Sequence, residues 1–144
     1  MVSAFIPYET PSKKNSRVIY RRTGRSFPNK VFTEWHKRAA IWLKANYDLP
    51  CLEPGAYSLY LGFTHGDKRR RDSDNGVSSI LDLLVDLKVL PDDCWEVVRK
   101  ISVENYYDKG KPGVEISIIP LTDAEKLSRL YGNAWVIPSF RFHP

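Results

Sequence analysis

The chain has 144 residues, 42% of them hydrophobic and 27% charged, enough for one domain with one core and too few to suggest two. Those proportions exclude a disordered or fibrous chain, and no apolar run reaches the roughly 18 residues of a transmembrane helix. The formal charge of +5 points to an anionic partner.

Its distribution says more than its size. Residues 10–33 contain no acid, while Lys13, Lys14, Arg17, Arg21, Arg22, Arg25 and Lys30 stand interleaved with Tyr20 and Phe27. That pattern suits a surface laid against a phosphate backbone as well as it suits a solvated basic loop. Cys51 and Cys94 have neither metal-ligand nor redox spacing and are read as reduced and structural. His36, His65 and His143 are scattered, so no zinc site is expected. The N-terminal apolar run is too short for a signal peptide, and its cations follow rather than precede it, so a cytoplasmic location is the expectation.

In chain order, residues 4–8 and 17–22 read as strands joined by a turn at 12–16, a basic hairpin or a pair of edge strands. Asn29 is placed to cap a helix reaching about Tyr47, with Val31, Trp35, Ala39, Trp42 and Leu43 as its apolar stripe and Lys30, Lys37 and Lys44 opposite. Residues 56–64 alternate as a strand, with Tyr57, Leu59, Leu61 and Phe63 on one face. A second helix follows, its buried stripe Val77, Ile80, Leu81, Leu84 and Leu87, with Ser78, Ser79, Asp82 and Asp86 away from its centre. Beyond Pro91, residues 97–107 and 114–119 read as an antiparallel hairpin about the turn at 108–110. A short helix from Thr122 and an apolar tail containing Trp135, Phe140 and Phe142 close the chain, packed on the domain or on a second subunit. The expected fold is therefore α+β, a single domain over residues 1–121 with a mixed β-sheet and flanking helices, followed by the segment 122–144.

The chemistry concentrates in residues 68–93. Lys68, Arg69, Arg70 and Arg71 lead into Asp72-Ser73-Asp74-Asn75, and Asp92-Asp93 closes the far end of the helix. A hard divalent cation needs several carboxylate oxygens, and cations hold phosphate, so the combination points to hydrolysis or transfer at a phosphodiester. The plain alternative is that Asp72 and Asp74 only favour the helix N-terminus, Asp74 as its cap, and that Asp92-Asp93 is an ordinary turn. Asp72 to Gly76 begins like an EF-hand loop, but its glycine comes one place early and Leu83 stands where the bidentate glutamate is required, which excludes calcium sensing.

Arg70-Arg71-Asp72-Ser73-Asp74-Asn75, the helix, and Asp92-Asp93 ahead of Val97-Val98 resemble the RusA family of Holliday-junction resolvases. Pro11-Ser12-Lys13-Lys14-Asn15 and Pro112-Gly113-Val114-Glu115-Ile116 also look like family features, so the likeness covers roughly residues 4–120. The resemblance implies a homodimeric, Mg2+-dependent endonuclease, with Mn2+ as a substitute, that resolves four-way DNA junctions by in-line hydrolysis at the bacterial nucleoid, from a cellular or a phage gene. Asp72, Asp74 and Asp93 match the family's catalytic, metal-holding aspartates, and Arg71 matches its DNA-contacting arginine. Lys68, Arg69, Arg70, Lys13, Lys14 and Arg17 are read as steering phosphate, and Asp92 and Ser78 as auxiliary positions. Ser78 departs from the family, which carries a lysine there; Lys14, with Lys13 in reserve, is the expected replacement. A DNA-binding module without catalysis and a nuclease for other branched DNA are the alternatives.

Overall fold

A computed structural model describes residues 1–13 and 17–122; Lys14 and the expected C-terminal helix and tail beyond Thr122 lie outside the described residues. The most apolar alternating segment takes the middle of the fold. Strand β4 (Tyr57–His65) turns Tyr57, Leu59, Leu61 and Phe63 inward, all buried. It pairs antiparallel with β6 (Gly113–Pro120) and parallel with β5 (Val98–Tyr107), and β1 (Val2–Ile6) adds to β6 in antiparallel register, giving the order β1-β6-β4-β5. The same registers place Leu61, Ile116 and Ala4 side by side. Helices α1 (Lys30–Asn46) and α2 (Val77–Asp86) bury their apolar residues against that face in one core. The result is α+β with a mixed sheet in a single domain.

Two expected pairings are overturned. β5 and β6 are not neighbours, because β4 lies between them; residues 108–112 carry the chain past the end of β4, where Asp108 N–H donates to the His65 carbonyl at 3.0 Å. Five extended residues span the roughly 10 Å of two strand spacings with ease. Nor do the two N-terminal strands form a hairpin: β1 joins the main sheet, and β2 (Arg17–Ile19) pairs with β3 (Ser26–Pro28) in a sheet of its own. β3 has no counterpart among the expected elements.

Asn29 caps α1 as expected, its Oδ1 accepting from Val31 N–H at 2.8 Å. The buried stripe is Phe32, Trp35, Ala39 and Leu43, whereas Val31 is 61% exposed. α1 also closes one open edge of the sheet: the Tyr47 hydroxyl, just past its end, accepts from Phe5 N–H at 3.0 Å and Trp42 Nε1–H donates to the Phe5 carbonyl at 2.9 Å. Cys51 and Cys94 are both free thiols.

Candidate active site

β4 ends at His65, and the chain reverses through residues 66–76 before α2 begins. The reversal is organised by Asp67. Its Oδ1 accepts from Arg69 N–H at 3.0 Å, its Oδ2 from Arg69 Nε at 3.0 Å, and its Oδ1 lies 2.9 Å from Arg71 Nη2. The Arg69 backbone N–H, helped by the Arg71 hydrogen bond and both guanidinium charges, holds the Asp67 carboxyl below the ordinary carboxylate value against a smaller opposing effect of desolvation.

Glu9, from the loop after β1, ties this turn to the rest of the domain. Its Oε1 lies 2.9 Å from His65 Nδ1 and 3.2 Å from Arg71 Nη2, and its Oε2 accepts from Gly66 N–H at 3.0 Å. The other nitrogen of His65 lies 2.9 Å from Asn105 Oδ1 on β5, and its ring stacks on Phe63. Arg71 therefore sits between two carboxylates with 21% of its side chain exposed, while Lys68, Arg69 and Arg70 reach solvent. Sequence reasoning missed Glu9, His65 and Asn105. Only Glu9 left a signal, as the last acid before the acid-free segment.

These residues line a cleft of about 690 Å³ together with Tyr8, Trp35 and Arg38 on one side and Asp72, Asn75 and Gly76 on the other. Gly76 permits the arrangement: a Cβ there would stand 2.6 Å from Phe63 Cε1, so no larger residue lets the start of α2 approach β4 this closely. Gly76, not Asp74, occupies the cap position of α2, and no side chain caps it. Asp72 and Asp74 are both exposed in the turn, their carbonyls accepting from Asn75 and Val77 N–H at 3.2 Å each.

Asp93 stands elsewhere. β4 and β5 run parallel, so α2 must carry the chain back along the sheet, and Asp93 lies beyond its C-terminus, near the end where Tyr57 pairs with Val98. The ten residues of α2 put roughly 15 Å of helix between it and the Asp72–Asp74 pair. Among the described residues, no three His, Cys, Asp or Glu side chains gather closely enough to hold one ion. A single copy brings Asp72 and Asp74 to one place and leaves Asp93 at another. Asp92 shapes the local turn, its Oδ1 accepting from Asp93 N–H at 2.7 Å.

Ser79, expected away from the centre of its helix, is fully buried, because its Oγ–H donates to the Pro11 carbonyl at 2.7 Å. That bond lays residues 11–13 across α2, where the Lys13 ammonium pairs with Asp82, one turn beyond half-buried Ser78. Lys13 is thus the described lysine that reaches the helix face carrying Ser78.

Exposed carboxylates beside exposed arginines at the end of a mixed sheet are the residue types that chemistry at a phosphodiester calls for. Comparison with known proteins makes the class specific. Residues 7–119 match the family model of endodeoxyribonuclease RusA, and the chain belongs to that family. It is also similar to the crossover junction endodeoxyribonuclease RusA of Aquifex aeolicus (strain VF5), with 27% identity over 112 residues that cover 76% of this chain and 85% of the relative. No helix among the described residues is long and apolar enough to cross a membrane.

Proposed function

We propose that this protein resolves four-way DNA junctions by paired nicks, with Mg2+ held between two copies of the chain. The observation behind the shared centre is the separation of Asp93 from Asp72 and Asp74 by the length of α2, with all three carboxylates exposed. A twofold dimer with antiparallel α2 helices brings the first two aspartates of each copy to Asp93 of the other, and the symmetry makes the centre twice. A four-way junction offers two equivalent strands to two such centres.

The donor set suits the ion, since exposed carboxylate oxygens are what Mg2+ takes. Bound there, the ion supplies a water of lowered pKa and neutralises charge at the scissile phosphate. The chain's own residues do the rest. Asp72, Asp74 and Asp93 hold the centre, while Lys68, Arg69 and Arg70 steer the phosphate backbone from the exposed side of the turn. Arg71, clamped by Glu9 and Asp67, acts first by keeping the turn in shape, and its remaining exposed edge faces the DNA. Lys13 stands in as the cation beside Ser78. The name of the Aquifex relative supports the junction as substrate, and such a substrate places the work at the bacterial nucleoid.

An immobile four-way junction labelled in turn on each strand, incubated with and without Mg2+, tests the proposal. Symmetric cuts in two opposing strands that require the metal are expected. Equal cleavage of linear duplex, nicking in the presence of a chelator, or preference for a flap would overturn it.

A further inference from the structure

We infer that the β2–β3 hairpin is a wedge that enters the branch point of the DNA, with Tyr20 stacking on an unpaired base and Arg21, Arg22 and Arg25 gripping the phosphates around it. The inference rests on the junction as substrate. The hairpin forms its own two-stranded sheet and hydrogen-bonds to no strand of the main one. Two-stranded ribbons are marginal on their own, so what the exposed residues at the turn of this one meet matters.

Its tip is narrow and closed. Tyr20 N–H donates to the Arg25 carbonyl at 2.9 Å, and the Tyr20 carbonyl accepts from Thr23 N–H at 3.2 Å and Gly24 N–H at 2.9 Å. Gly24 holds φ at +65°, the left-handed conformation that glycine adopts without cost. Three guanidinium groups therefore leave a single tight turn, and none has an ion pair or hydrogen bond to another described side chain. Beside them Ile19 is 68% exposed and Tyr20 59% exposed.

Arginines alone would make a sequence-blind clamp on the backbone. A large aromatic and a β-branched residue exposed at the same tip add apolar surface to the cations, and an acidic protein surface offers one half of that match only. DNA whose base pairs have opened offers both, a phosphate track and base faces for stacking. Intact duplex hides the base faces, so the tip selects the branch.

The test compares wild-type protein, Tyr20→Ala, Tyr20→Phe and the combined Arg21→Ala, Arg22→Ala, Arg25→Ala variant, in buffer containing Ca2+. The ligands are a four-way junction carrying 2-aminopurine at the branch point and the corresponding linear duplex. The triple variant should lower the slope of log affinity against log salt by about 2 to 3, since each lost phosphate contact removes about 0.9. Tyr20→Ala should bind the junction about tenfold more weakly, as one lost stacking contact implies, lose the fluorescence change at the branch point, and bind duplex as before. Tyr20→Phe should keep that change.

An unaltered salt slope, or a fluorescence change that survives Tyr20→Ala, overturns the wedge and leaves the junction reading standing. Equal weakening on junction and duplex makes the hairpin a backbone clamp and also overturns it. A changed sedimentation coefficient for Tyr20→Ala would assign the patch to subunit contact instead. Wild-type protein that binds junction and duplex alike removes both the substrate and the wedge.

Discussion

Breaking the proposed shared centre from its two sides separates it from a centre within one chain. The oxygens around one divalent ion lie about 2.0–2.6 Å from it, so any two stand within about 5 Å of each other. The ten residues of α2 hold Asp93 roughly three times farther than that from Asp74 within one copy. Asp74→Asn and Asp93→Asn should each abolish cleavage while binding junction within a few-fold, because neither removes a cation from the DNA surface. When the two variants are mixed and allowed to exchange subunits, about half of the dimers are mixed, and each mixed dimer carries one centre with both lesions and one with none. Nicking should return to about a quarter of the wild-type rate. The product should be nicked junction rather than two linear duplexes, because the second centre is dead. Mixing Asp72→Asn with Asp74→Asn should restore nothing, since each centre takes both residues from one copy and so carries one of the two lesions. Rate measurements on an end-labelled junction, with exchange verified by adding a doubly altered copy to wild type, decide it. No recovery despite proven exchange, or full activity of Asp93→Asn alone, would refute the reasoning.

Three further outcomes follow from the geometry. Lys13→Ala should slow single-turnover cleavage of bound junction more than about tenfold by removing the cation beside Ser78, and Lys88→Ala should not; a pure binding defect, joined to a faster Ser78→Lys variant, would show that this cation does not act in the cut. Ser79→Ala leaves the Pro11 carbonyl without its partner against a packed helix, a loss of about 1–3 kcal/mol that calorimetry should record as a Tm lower by roughly 4–10 °C; an unchanged Tm contradicts the anchoring of residues 11–13. The depressed Asp67 carboxyl contributes stability that is present above the ordinary carboxylate value and is lost as pH falls through its folded value. Asp67→Asn should therefore flatten the acid side of a stability–pH curve followed by circular dichroism, and an unchanged acid side would show that the turn gains nothing from that charge.

Much of this protein is legible one segment at a time. Tyr57, Leu59, Leu61 and Phe63 alternate because successive strand side chains point to opposite faces, and that period alone identifies β4 and its buried side. Asn29 announces α1 because an Asn side chain satisfies N–H groups that a helix start leaves bare. The carboxylates and arginines of residues 68–75 can be named for the same reason, since charge type is a property of the residue. Alternation tells which face is buried but not which strand lies alongside, so the insertion of β4 between β5 and β6 had no local mark. Ser79 looked like a surface residue until the Pro11 carbonyl, 68 positions away, supplied its partner.

The site divides along the same line. That Asp72, Asp74 and Asp93 are acids is written in the sequence, and the family resemblance is what groups them as candidates for one centre. Their distance apart is decided by the parallel pairing of β4 with β5, which obliges α2 to run the length of the sheet between them. The clamp of Glu9 on Arg71 and His65 likewise exists only in the folded chain, because an ion pair needs proximity and residues more than 50 positions apart acquire it through packing alone.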